Sequence, residues 1–224
     1  MDVKKNGKII EADLILIEAE KLSVNDTFMK YEPKTDEEKE AKEFISEAIK
    51  KKVKNFYRPK CDPSLTEDGK GICFVSGKKP AVGKSYNWWI DTAKAYNPKR
   101  NSRLGTRLQY GVFLGVLIKK LIKEGKTVKW AWNAVCNDSR ELGHYWNSEN
   151  AKHDFEPTGS RMISGFYDLA NTYKILAEDE EAGGFWLAGG DYFDNAYVYP
   201  LAGFSFGIYR NYNDKNSVGW IVLD

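Results

Sequence analysis

The chain has 224 residues and a formal net charge of +2, from 34 basic and 32 acidic side chains. So even a balance disfavours a dedicated nucleic-acid binder, which concentrates a basic excess. A mean hydropathy of −0.56, with Gly111 to Ile118 as the longest apolar run, disfavours membrane insertion.

Lys8 to Glu18 (KIIEADLILIE) is β-branched and Leu-rich and predicts a strand. Thr35 opens a helix, with Glu38 three residues on completing a capping box. Phe44, Ile45, Ala48, Ile49 and Val53 form one apolar stripe at helical spacing. Lys50, Lys51, Lys52 and Lys54 follow, either as a solvated helix end or as a phosphate-binding patch. Residues 57–83 hold Pro59, Pro63, Pro80 and four glycines, which predicts an irregular connection with one short strand at Gly71 to Val75. Trp88 to Tyr96 predicts a short helix before Pro98, and Leu104 to Lys123 a long one closed by Gly125. Val128 to Cys136 adds a further helical turn or two. Phe166 to Ala177 predicts an amphipathic helix, since Phe166, Leu169, Ala170, Tyr173 and Leu176 share a face. Short strands are predicted at Gly184 to Ala188, Ala196 to Tyr199, Ser205 to Tyr209 and Val218 to Leu223.

Composition splits along this order. The first 60 residues carry 27 charged side chains and 5 aromatics. The 36 residues from Phe185 to Trp220 carry 11 aromatics and 5 charges. Three segments follow: a charged docking or oligomerisation segment over 1–60, a Pro/Gly-containing connection over 61–84, and a ligand-binding domain over 85–224.

Sequence patterns of known chemistries are not met. Three cysteines exclude a disulfide scaffold, and no CxxC pair is present. Cys61 and Cys73 are twelve apart; three reduced thiols are the expectation, with a Cys61–Cys73 disulfide as the alternative in an oxidising setting. His144 and His153 are nine apart, which is not a single-helix ligand spacing, and HExxH is absent. No GxSxG anchors a nucleophile. Lys78 to Ser85 (KKPAVGKS) ends like a phosphate loop, but Lys78 stands where the motif requires glycine. No metal or cofactor is expected. The opening MDVKKNGKII lacks the apolar stretch of a signal peptide, so a cytoplasmic or phage-virion product is expected.

The aromatic tail carries the functional reading. Some of its rings belong to a core, yet core strands seldom use so many Tyr. Tyr and Trp combine apolar area with a polar handle. Asp191, Asp194, Asn195, Asn211, Asn213, Asp214 and Asn216 interleave with them. That mixture is the composition of a paratope, in which rigid rings supply area and small polar groups adapt their hydrogen bonds.

Residues 155–176 (FEPTGSRMISGFYDLANTYKIL), the segment GFWLA at 184–188, Gly189-Gly190 and the tail to Asp224 resemble C-type-lectin-fold domains of the formylglycine-generating-enzyme type. Within that group the tail is similar to the variable region of proteins diversified by retroelements, which include phage receptor-binding proteins and bacterial ligand binders. The resemblance covers roughly Ser85 to Asp224. It implies an α+β fold: a C-type-lectin-like domain with two main helices and short antiparallel strands, preceded by a charged strand–helix segment. It implies a non-enzymatic protein that binds a protein or glycan partner through Tyr192, Phe193, Asp194, Asn195, Tyr197, Tyr199, Phe204, Phe206, Tyr209, Asn211 and Tyr212. Gly189, Gly190, Gly219 and Trp220 would be scaffold. No Cys follows Cys136, so the cysteine pair of the oxidases has no counterpart. Thr158 follows Glu156-Pro157, so the calcium-binding triplets of sugar-binding lectins are missing too. Two rivals stand beside this reading. One is an enzyme using Asp168, His144, Glu141 and Arg161; the other is a structural phage virion component assembled through the N-terminal helix.

Overall fold

The computed structural model describes residues 14–34, 36–59, 63–74, 81–136, 174–181, 183–188, 203–206 and 217–224. They form a mixed α+β structure. In chain order come β1 (Leu14–Ile17), α1 (Asp36–Lys50), β2 (Phe56–Pro59), β3 (Ser64–Leu65), β4 (Ile72–Cys73) and α2 (Tyr86–Tyr96). Then follow β5 (Arg103–Leu104), α3 (Arg107–Lys123), α4 (Val128–Cys136), β6 (Lys174–Asp179), β7 (Gly184–Ala188), β8 (Gly203–Phe206), β9 (Ser217–Gly219) and β10 (Ile221–Val222). Among the described residues no helix is long and apolar enough to cross a membrane.

Side-chain caps set the helix starts. Ser85 Oγ accepts the Trp88 N–H at 3.2 Å and opens α2. Thr106 and Gln109 exchange side-chain and backbone hydrogen bonds, 3.2 Å and 3.0 Å, and open α3. That box delays the helix to Arg107, so Leu104, expected in its first turn, pairs instead with Ile221 across β5 and β10. Glu38 of α1 reaches back to the residue before the expected cap. Its carboxylate accepts the Lys34 N–H and the Tyr31 hydroxyl, while Thr35 lies outside the described residues.

The apolar stripe of α1 is used within the chain. Ile45 and Ala48 are fully buried in one cluster with Leu114, Leu117 and Ile118 of α3, and Phe44 and Ile49 pack against it. Gly111 and Gly115, one turn apart on α3, make room for this approach. A Cβ on Gly111 would lie 2.8 Å from the Ala48 Cβ, and one on Gly115 3.2 Å from Ile45 Cγ2. The charged front of the chain therefore shares a core with α3, and only its polar face looks outward.

Strands β8-β7-β6-β9 form one sheet in that order, antiparallel except for the parallel β6–β9 pair. Its alternate residues enter two different cores. Leu176, Phe185 and Val218 join the cluster around Trp89 of α2. Ala177 and Trp186 join the cluster around α1 and α3. Period-two alternation delivers this division directly.

The double coverage corrects the helix expected over Phe166 to Ala177: residues 174–177 are strand β6, and 166–173 lie outside the described residues. Leu176 and Ala177 are adjacent and both wholly buried, in opposite cores. A strand covered on both faces reads as a continuous apolar run, which periodicity alone does not separate from a helix segment. Among the described residues of the 85–224 region the helices are α2, α3 and α4, and α4 packs on α3 and α1.

The strand expected over Val218 to Leu223 is two strands. β9 follows β6, the chain steps at Trp220, and β10 follows β5. Trp220 N–H donates to Leu176 O at 2.9 Å, and its carbonyl accepts the Gly105 N–H at 2.6 Å. β8 begins two residues before the strand expected at Ser205, and Ala196 to Tyr199 lies outside the described residues. Cys73 is buried, and its Sγ–H donates to Leu65 O at 3.3 Å, while Cys61 lies outside the described residues.

Candidate functional site

The candidate site is the chain held between the strands of the C-terminal sheet. β7 and β8 pair from Phe185↔Phe206 to Ala188↔Gly203. Residues 189–202 thus leave the sheet at Ala188 and re-enter it directly opposite, at Gly203. Two residues suffice to close such a hairpin, and the chain uses fourteen. Residues 207–216 join β8 to β9, which lie at opposite edges of the sheet. β8 ends opposite Phe185, and β9 starts beside Lys174, at the far end of β6.

Two of the flanking strands, β7 and β9, are anchored in the core. Phe185 and Trp186 of β7 are buried, as are Ser217, Val218 and Gly219 of β9. Gly219 lies flat on the Trp89 ring, where a Cβ would come within 2.6 Å of Cδ2. Trp220 is buried edge-on to Tyr110, with centroids 5.0 Å apart, and the Arg58 guanidinium sits over its ring at 4.4 Å. Among the described residues of this stretch, the Phe185, Trp186 and Trp220 rings are core. None of these belongs to the expected binding set. Phe204 and Phe206 of that set fall on β8, opposite Leu187 and Phe185 in register. Tyr192, Phe193, Asp194, Asn195, Tyr197, Tyr199, Tyr209, Asn211 and Tyr212 lie outside the described residues, as do Gly189, Gly190 and the rival set Asp168, His144, Glu141 and Arg161.

The turn joining β6 to β7 is fastened by charge, which the sequence reading missed. Arg107 spans to Glu47 of α1 through two hydrogen bonds, 2.7 Å and 3.2 Å, and to Glu181 at 3.3 Å. Glu181 also takes Lys51 Nζ at 2.8 Å. The hydrogen bond and charge of Lys51 hold the Glu181 carboxyl below the usual glutamate range. Glu180 accepts the Leu108 N–H at 3.3 Å in the first turn of α3, where a helix favours an anion. The only signal in the sequence was the acidic run Glu178 to Glu181.

Glu178 is different. It faces α2 and β5, and burial pushes its carboxyl up, with Lys94 and Arg103 opposing. Burial likewise pushes the Tyr86 hydroxyl up to about 12, and the Glu178 charge adds to that. Tyr86 O–H donates to Gly184 O at 3.1 Å. The Tyr86 hydrogen bond ties β7 to α2. Among the described residues no three His, Cys, Asp or Glu side chains are placed to share a metal ion.

Compared with known proteins, the chain matches no family model, no curated protein and no solved structure.

Proposed function

We propose that the chain is a non-enzymatic receptor-binding protein of the retroelement-diversified kind. Its C-type-lectin-like α+β scaffold displays a variable aromatic surface to a protein or glycan partner. The observation that supports this reading most is the arrangement of the C-terminal sheet. Its buried strands β7 and β9 bracket the Tyr- and Asn-rich residues, whose own number far exceeds what joining the strands demands. Rigid elements flanking a changeable segment let side chains vary while the backbone stays tied. Tyr192, Tyr197, Tyr199, Tyr209 and Tyr212 supply contact area, and Asp194, Asn195 and Asn211 supply hydrogen bonds. The polar outer face of α1 is left for docking.

Sequencing of this coding region and its neighbouring DNA across a population tests the proposal. It predicts substitutions at adenines, confined to the codons of the eleven expected binding positions, with the codons of Phe185, Trp186, Gly219 and Trp220 constant. A near-copy of the tail beside a reverse transcriptase is expected as well. Variation spread evenly over core and surface codons would contradict the reading.

A further inference from the structure

The sequence leaves the lysines after α1 as either a solvated helix end or an anion-binding patch. The structure separates them. Lys51 turns to Glu181, at 2.8 Å. α1 ends at Lys50, and Lys52 sits beyond it in a left-handed turn, at φ 53°. Lys52 and Lys54 therefore lie past the last helical turn and do not serve the helix end. Lys50, Lys52 and Lys54 are exposed, and none of them pairs with an acidic side chain among the described residues.

A second basic segment meets the first. The single turn Pro98–Arg100 sets the Arg100 guanidinium over the Tyr57 ring of β2, at 4.3 Å, three residues on from Lys54. Lys99 beside it is exposed and likewise unpaired among the described residues. Where the two segments meet, the chain holds a carboxylate of its own. Asn101 Nδ2 and Arg103 Nη1 each donate to one oxygen of the Asp224 side chain, both at 2.7 Å. Arg100 Nε donates to the Asp224 main-chain oxygen at 3.1 Å. The Asn101 hydrogen bond, then Arg103 and last the Lys54 charge hold the Asp224 carboxyl below the usual aspartate range. Two more acids come near. Glu178 is half-buried close to Arg103, and Glu20 donates its N–H to Asn55 Oδ1 at 3.0 Å. Neither pairs with the four lysines.

We propose that the face formed by Lys50, Lys52, Lys54 and Lys99 around the Asp224 clamp docks an acidic protein segment. Its Asp and Glu carboxylates take the lysines as Asp224 takes Asn101 and Arg103. The clamp is what favours a carboxylate over other anions, since a carboxylate is the group already seated there. This assigns an occupant to the docking part of the chain. It is independent of ligand binding at the tail, so either reading fails without the other. Exposed ion pairs are individually weak and screened by salt, so docking rests on several made at once.

Fluorescence anisotropy of a labelled poly-glutamate peptide, titrated with the full chain at low ionic strength, tests this. Binding is expected, and it should weaken steeply as salt is added. The variant Lys52→Glu/Lys54→Glu/Lys99→Glu should weaken it by about tenfold or more. Its thermal unfolding curve should be unchanged, because these side chains are exposed and unpaired. Lys30→Glu/Lys123→Glu/Lys129→Glu alters the net charge equally at other exposed positions, and should weaken binding by no more than about threefold. Absence of binding at low salt, equal losses in the two triple variants, or tighter binding to phosphatidylserine vesicles than to the peptide would each overturn the proposal.

Discussion

The α1–α3 contact and the C-terminal sheet are both buried, yet they are built in different ways. α1 offers one apolar stripe, and α3 receives it over two glycines. Along β6 and β7, Leu176 and Phe185 serve one core while Ala177 and Trp186 serve the other. A one-faced element tolerates sliding and repacking on its partner. A two-faced element is fixed from both sides, so small volume changes there have nowhere to go. That rigidity is what a displayed variable segment needs at its attachment points.

The comparison can be broken most severely at Gly219. Gly219→Ala drives a Cβ into the fully buried Trp89 ring, and should cost about 3 kcal/mol in urea unfolding. Gly111→Ala at the one-faced contact should cost less, about 1 kcal/mol, since a better helix former offsets part of the collision with Ala48. Ala48→Gly added to Gly111→Ala should then cost less than the two single losses together. If Gly111→Ala proves the more damaging of the two glycine variants, the distinction between one-faced and two-faced burial fails.

Charge sharpens the same contrast. Arg107→Met removes the link from α3 to Glu47 and Glu181 and should lower stability by about 1–2 kcal/mol, since the Arg107 side chain is only 15% exposed. High salt should diminish that difference.

The smallest effect is expected at Glu178. Its folded carboxyl sits above the ordinary glutamate value of 4.5, so the folded state binds the proton more tightly. Its contribution is present below that value and is lost as pH rises through the folded pKa. Glu178→Gln should therefore flatten that stretch of the stability–pH curve. The curve should move the other way for Lys51→Met, because the Glu181 carboxyl is held low and favours folding only above its ordinary range. An unchanged profile in both variants would remove these groups from the account.

Some elements were legible because a local signal decided them. β7 appears where a β-rich run between glycines placed it, and α4 matches its apolar run. α2 begins at the Ser85 cap, two residues before the helix expected at Trp88. β6 was illegible, since Ile175-Leu176-Ala177 suits a helix face as well as a doubly covered strand. The step at Trp220 was illegible too, because only tertiary partners, Leu176 on one side and Gly105 on the other, divide β9 from β10. Composition separated the charged front from the rest. Composition reports mainly surface, however, and the few apolar residues of α1 are what join it to the common core. For the candidate site, the resemblance assigned Gly219 and Trp220 to the scaffold, and both are buried. The ionic fastening of the β6–β7 turn was not legible, since Glu47, Arg107 and Glu181 meet only in three dimensions.

The central claim is that the Tyr-rich segment is displayed by a core that does not depend on it. Urea unfolding of the triple variant Tyr192→Ala/Tyr197→Ala/Tyr209→Ala, followed by binding to a glycan array and to cell-surface protein extracts, tests this most directly. The account predicts a stability within about 1 kcal/mol of the parent chain and loss of whatever the parent binds. A loss of about 3 kcal/mol or more per ring, the cost of emptying a core site, would contradict it.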